Sequence, residues 1–138
     1  MIKGPWQGPG AVYGAGMSNA GRASQPKPTS EFESVFDFLD QVRLRSGMWV
    51  TGGSLHELSA MLVGYLIALD VHEIDEPFDF WPSGPFTEWL YRRQERDNSL
   101  SWAAQIEREA STAGQEPLAM FFDLLDEYQA AKAEAAQD

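Results

Sequence analysis

Residues 30–70 constrain this chain more than any other stretch. They read SEFESVFDFLDQVRLRSGMWVTGGSLHELSAMLVGYLIALD, two strongly apolar helical patterns separated by a glycine-rich corner carrying Met48, Trp49, Val50 and Thr51. In the first pattern Phe32, Val35, Phe36, Leu39 and Val42 recur at helical spacing, while Glu33, Asp37 and Asp40 fall on the opposite side. Ser30 and Glu33 have the spacing of a capping box, so a helix is expected over residues 30–45, with Arg43 and Arg45 complementing the dipole of its last turn. In the second pattern Ser54 and Glu57 repeat the capping spacing. Leu55, Leu58, Met61, Leu62, Tyr65, Leu66 and Leu69 then form a wide apolar face over residues 54–70, which predicts the central helix of the fold. Ala60, Gly64 and Ala68 add a stripe of small residues. Because glycine costs about 1 kcal/mol against alanine inside a helix, a close helix crossing is the expected reason for Gly64.

The pattern downstream stays helical. Residues 71–85 form a turn-rich connector with three prolines and the cluster Phe78, Phe80 and Trp81, which either caps the core beneath a loop or forms an exposed recognition patch. A third helix is expected from Pro85, a favourable first-turn residue, with Phe86, Trp89 and Leu90 inward. Arg92, Arg93 and Arg96 at its far end suit the helix terminus and pairing with the acidic surface better than an anion site. A fourth helix starting near residue 98 or 99 offers Trp102, Ala103, Ile106 and Ala110, and Gly114 is its natural stop. The fifth follows Pro117, with Leu118, Phe121, Phe122, Leu125 and Tyr128 facing the core and Asp123, Asp126 and Glu127 facing water; its last nine residues are expected to fray. The expected fold class is all-α, a compact bundle of about five helices over residues 31–138.

Residues 1–30 hold half of all glycines and half of all prolines, a composition that resists regular structure. They are expected to form a disordered arm in which Trp6 and Tyr13 are suited to dock into a groove, on the arm's own domain or on a partner. An alternative is that residues 1–16 are an extension ahead of a start at Met17. The spacing of Gly8, Gly10, Gly14 and Gly16 is no phosphate loop, since no strand precedes it and proline-rich chain follows where a helix must begin.

Charge divides the chain at the same place. The formal net charge is −11, but residues 1–30 carry Lys3, Arg22 and Lys27 with no acid, leaving seven cations against 21 acids, a net −14, on residues 31–138. Such a surface repels a phosphate backbone and attracts basic partners, so direct nucleic-acid binding is not expected. Acidity that serves solubility alone is the competing reading. With no cysteine there is no disulfide, thiol nucleophile or thiolate metal site, which suits a reducing cytoplasm. The longest apolar run, residues 61–69, falls short of the roughly 20 residues that cross a bilayer, and the early prolines and glycines do not suit a signal peptide.

Catalytic and metal chemistry find little support. His56 and His72 stand about 24 Å apart if the second helix is continuous, too far to share an ion. His72 with Asp75, Glu76 and Asp79 lacks zinc or EF-hand spacing and is expected to be a solvated acidic loop. No nucleophile elbow is visible for a serine triad. The carboxylate pairs Asp37 with Asp40 and Asp123 with Asp126 lie on exposed faces, where nothing would raise a pKa for acid catalysis. No catalytic residue, cofactor or metal site is therefore expected.

Two resemblances enter here. The segment QVRLRSGMWVTGGSLHEL, through Arg43, Arg45, Met48, Trp49, Val50, Gly52, Leu55, His56 and Leu58, resembles the Arg-x-Arg-Pro-x-Met-Tyr-Ile-Gly and Leu-His-x-Leu segment that opens the ATPase domain of gyrase-type topoisomerases. That family continues with a Glu and an Asn that handle water and magnesium; this chain continues AMLVGYLIALD, without the asparagine, so the likeness is treated as convergence. A longer likeness carries Arg43, Arg45, Gly47, Met48, Trp49, Ser54, Leu55, Leu58, Gly64, Tyr65, Phe86, Trp89, Ser101, Trp102, Phe121, Phe122, Leu124, Leu125, Asp126 and Glu127. It resembles a family of short uncharacterised bacterial helical proteins with an Arg-x-Arg-x-Gly-Met-(Trp/Tyr) corner and a Phe-Phe-x-Leu-Leu-Asp-Glu final helix. Those proteins commonly have Pro where Ser46 stands and lack the basic arm. The resemblance implies a helical fold and a bacterial source, and no catalytic role.

The expected function is a non-catalytic protein-binding module, in its sharper form an immunity-like inhibitor of a basic partner such as a nuclease toxin. Its expected contact residues are Asp37, Asp40, Asp123, Asp126 and Glu127, the aromatics Phe78, Phe80 and Trp81, and Trp6 and Tyr13 of the arm. One alternative is a small-molecule binder or enzyme using the corner at Met48, Trp49, Val50 and Thr51 with Arg43, Arg45, His56 and Tyr65. Another is a structural protein that oligomerises through its N-terminal arm. Of the corner residues, Met48, Trp49 and Val50 are expected to plug the core.

Overall fold

Side-chain caps and apolar spacing define where the helices start and stop. The computed structural model describes residues 25–81, 84–94 and 100–137. Among them are six α-helices, five of ten residues or more, and no strand: α1 (Val35–Leu44), α2 (Ser46–Trp49), α3 (Leu55–Val71), α4 (Pro85–Gln94), α5 (Trp102–Ala113) and α6 (Pro117–Ala136). The fold is all-α, as the apolar spacing requires. The chain divides into two units, residues 1–46 and 47–138.

In the first unit α1 starts later than its sequence suggests. Ser30 lies in a single 3-10 turn, Thr29–Glu31, and the N-cap is Ser34, whose hydroxyl accepts the Phe36 N–H at 3.2 Å. Asp37, at the third helical position, accepts the Glu33 N–H at 2.7 Å. A second cap therefore competes with Ser30 four residues on, and it wins because its acid reaches back to an exposed donor. Val35, Phe38, Leu39 and Val42 form the buried face. Gln41 is buried as well, and its amide clamps extended backbone: Nε2 donates to the Gln25 carbonyl at 2.8 Å and Oε1 accepts the Lys27 N–H at 3.2 Å. Lys27 Nζ also lies 3.3 Å from Asp37. Residues 25–27, within the stretch read from composition as an arm, are thus tied to α1.

In the second unit the central helix is α5, which packs against α3, α4 and α6. The breadth of the apolar face on α3 suggested otherwise. Small side chains decide the matter, because Ala103 and Ala110 on the buried face of α5 let neighbouring helices approach. Ser101 caps α5 by accepting the Ala104 N–H, and Gly114 ends it in the left-handed conformation, φ 68°. Ser54 caps α3 by accepting the Glu57 N–H at 3.2 Å. The Glu107 carboxylate, reaching over from α5, accepts the Leu55 N–H at 3.1 Å and lies 3.5 Å from His56 Nε2. An acid at a helix N-terminus satisfies an orphan donor and meets the positive end of the dipole. The tail of α6 does not fray where expected but stays helical to Ala136, since Ala, Glu, Lys and Gln are strong helix formers.

Only one side of α3 is covered. Leu55, Leu58, Leu62 and Leu69 are buried, whereas Val63, Ile67 and Val71 are 41, 55 and 67% exposed. Ala60, Gly64 and Ala68 are exposed too, and a Cβ added at Gly64 would meet nothing within 4 Å. The expected close crossing at Gly64 is therefore not made with any described part of the chain.

Candidate functional site

The connector between α3 and α4 has no regular backbone ladder, so its polar groups need other partners. Aromatic stacking carries it across the core. Tyr65 stacks on Phe78 at 5.8 Å and donates its hydroxyl to Glu76 at 2.7 Å; Phe78 meets Phe80 edge-on at 6.0 Å, and Phe80 meets Phe86 at 5.4 Å. Trp102 Nε1 donates to the Phe80 carbonyl at 3.2 Å, and the Phe86 N–H donates to the Asp79 carbonyl at 3.2 Å. Phe80 is core at 2% exposure and offers a partner nothing, Phe78 is half-buried, and Trp81 is 46% exposed. The cluster is thus a core cap whose last member reaches the surface.

Asp79 departs most from the solvated acidic loop that its neighbours suggest. His72 and Asp75 are exposed, but Asp79 is buried. Its Oδ2 accepts the Tyr128 hydroxyl at 2.6 Å and lies 2.8 Å from Lys132 Nζ, which itself sits 5.3 Å above the Tyr128 ring. Burial, then the hydrogen bond to Asp79 and its charge, raise the Tyr128 pKa well above its ordinary value of 10.0. A phenol held protonated in this way is a poor general base at neutral pH. The trio anchors the connector to α6.

Gly84 completes that anchor. A Cβ there would collide with the Trp81 indole and lie 2.9 Å from the Asp79 carbonyl oxygen. Gly84→Ala is expected to destabilise the fold by about 1–3 kcal/mol. In a Trp81→Ala background the same change should cost less, because one of its two obstacles is gone; equal costs measured by urea unfolding would refute this account.

The remaining predicted residues are dispersed. In the first unit Asp37 is occupied by Lys27 and the Glu33 N–H, and Asp40 is exposed. In the second, Asp123, Asp126 and Glu127 are exposed on the outer side of α6, where Gln115 donates to Asp123 at 3.3 Å and Arg93 lies 3.3 Å from Glu127. Arg92 lies 3.9 Å from Glu88, so Arg92 and Arg93 pair with acids. Trp6, Tyr13 and Arg96 lie outside the described residues.

The corner does not act as one plug. Val50 is buried, Trp49 is half-buried and Met48 is 71% exposed, because Gly52 and Gly53, both at positive φ, turn the chain sharply into the Ser54 cap. Thr51 is exposed and its N–H donates to Glu57 at 3.0 Å. His56 faces Glu107 while Tyr65 faces Glu76, so these two groups serve different neighbours. No group of three or more His, Asp or Glu residues suited to a metal ion occurs among the described residues, and no helix there is long and apolar enough to cross a membrane.

No family model, curated protein or solved structure matches this chain.

Proposed function

We propose that this chain is a non-catalytic protein-binding module that holds a basic partner against its exposed carboxylates. The observation that supports this reading is the charge of residues 47–138: seventeen acids stand against five cations, a formal −12. Three of those cations, Arg92, Arg93 and Lys132, already face a carboxylate of the same chain. Three exposed acids of α6, Asp123, Asp126 and Glu127, project on one side, Glu127 beside Arg93 at 3.3 Å, and as part of this net negative surface would steer a cationic one toward them. In the finer form of the proposal the protein is bacterial and cytoplasmic and acts in an immunity-like way, inhibiting a basic toxin.

Retention of a basic protein from native lysate on the immobilised full chain tests the reading, with the retained protein then purified for kinetics. Added salt should release it. Replacing Asp123, Asp126 and Glu127 by Asn, Asn and Gln should slow association by about tenfold. Binding that ignores both salt and these substitutions would overturn the proposal.

A further inference from the structure

A helix that is apolar on every side is normally buried on every side. From residue 58 to residue 69, α3 carries no charged side chain, yet only the leucine face is covered. We propose that the opposite face binds a second copy of the same chain, α3 against α3 in antiparallel orientation about a two-fold axis. This interface is separate from the acidic surface of the proposed function and does not depend on it.

The face is self-complementary. Val63, Ile67 and Val71 form a ridge four residues apart, and Ala60, Gly64 and Ala68 form a groove of the same period beside it. In one antiparallel register every large residue of one copy meets a small residue of the other: Val63 meets Ala68, Ile67 meets Gly64 and Val71 meets Ala60. The two-fold repeats each contact, so both ridges and both grooves are filled at once and the assembly closes as a dimer. The open space over Gly64 is where the Ile67 side chain of the other copy seats.

Area and the uncharged centre of the face favour a second copy as the occupant. The exposed aliphatic row leaves on the order of 400 Å2 per chain, as large as the largest apolar patch of a typical monomer and of a kind that is often functional, and pairing two faces with their flanks removes on the order of 1,000 Å2, the lower bound for a specific interface. Two chains of net charge −11 repel each other over most of their surface, but residues 58–69 keep the centre of the interface free of charge and leave Glu57, Asp70 and Glu73 only at its two ends.

Sedimentation equilibrium of the full chain tests the proposal. A species of twice the 15.4 kDa chain mass is expected at micromolar concentration, strengthened by salt because salt screens the repulsion. That is the opposite of the salt response expected for capture of a basic partner, so failure of one reading is distinguishable from failure of the other. Ile67→Glu should abolish the dimer. Gly64→Leu is the sharper variant, since it makes the face more apolar and a Cβ there meets nothing within 4 Å among the described residues, yet it fills the groove and should raise the dissociation constant at least tenfold. Unchanged helicity by circular dichroism confirms that both variants fold. A Gly64→Leu protein that associates more strongly would reveal a merely sticky surface and overturn the proposal. So would a wild-type monomer throughout this range, including one that dimerises only after residues 1–24 are removed, or one that binds phosphatidylcholine vesicles instead of itself.

Discussion

Phe86→Ala is expected to destabilise residues 47–138 by about 3–5 kcal/mol. Phe86 is fully buried and its ring meets five others: Phe80 of the connector at 5.4 Å, Trp89 at 6.1 Å, Trp102 and Phe121 at 5.9 Å, and Tyr128 at 5.3 Å. Neighbours drawn from the connector, α4, α5 and α6 cannot all collapse into the space a removed ring leaves, so a cavity persists. The loss is a large fraction of the roughly 5–15 kcal/mol that stabilises a whole domain. Urea unfolding should show the midpoint falling by about 2–3 M with little change in slope. Phe86→Leu should cost clearly less, because most of the volume is retained. A shift below about 1 kcal/mol for the alanine variant would show that the aromatic cluster is not the centre of this unit.

Tyr128→Phe is the second large effect, expected at about 1–3 kcal/mol. The substitution keeps the ring and its contacts with Phe86 and Trp89 but removes the hydroxyl that donates to Asp79 at 2.6 Å, leaving Lys132 as the remaining named partner of that buried carboxylate. pH supplies a separate signature. The folded-state pKa of Tyr128 lies above the 10.0 of an exposed tyrosine, chiefly through burial and then through Asp79, so above pH 10 the folded state binds the proton that the unfolded state has lost. Stability from this group is therefore fully present below pH 10 and declines as pH rises further. Wild type should lose stability faster than Tyr128→Phe between pH 10 and pH 11, and the gap between the two should narrow. Parallel pH profiles would show that the phenol does not titrate as this geometry requires.

These effects reveal why some of the architecture was legible in the sequence and some was not. Helix periodicity is local: the spacing of Trp102, Ala103, Ile106 and Ala110 places them on one side of α5 whatever packs there, and all four are buried. Ser54 and Gly114 also acted where expected, because a cap or a left-handed stop needs only its own few residues. The start of α1 was misplaced by four residues because Ser30 and Ser34 both qualify as caps, and the choice turns on what Asp37 reaches. Asp79 was illegible for a different reason. It sits among acids in a proline-rich loop, and its burial depends on Tyr128 and Lys132, 49 and 53 residues further along. The weak available signal was Tyr128 itself, a hydroxyl on a core-facing position, which implies a buried acceptor somewhere in the chain.

The sequence by itself determined that this protein is helical, where four of its five long helices lie to within a few residues, which residues line their apolar sides, and that its outer carboxylates far outnumber its cations. All of these follow from local spacing and composition. Only the tertiary structure decided that α5 rather than α3 is central, that Met48 faces water while Val50 is buried, and that Asp79 is an anchor rather than a solvated acid. It also decided that the Ala60, Gly64 and Ala68 stripe is exposed rather than packed in a helix crossing. The physical reason is common to all four. An apolar or small-residue stripe specifies that a face can be packed, whereas which faces are packed depends on how many neighbours the remaining helices supply, and the described helices of residues 47–138 leave one side of α3 exposed.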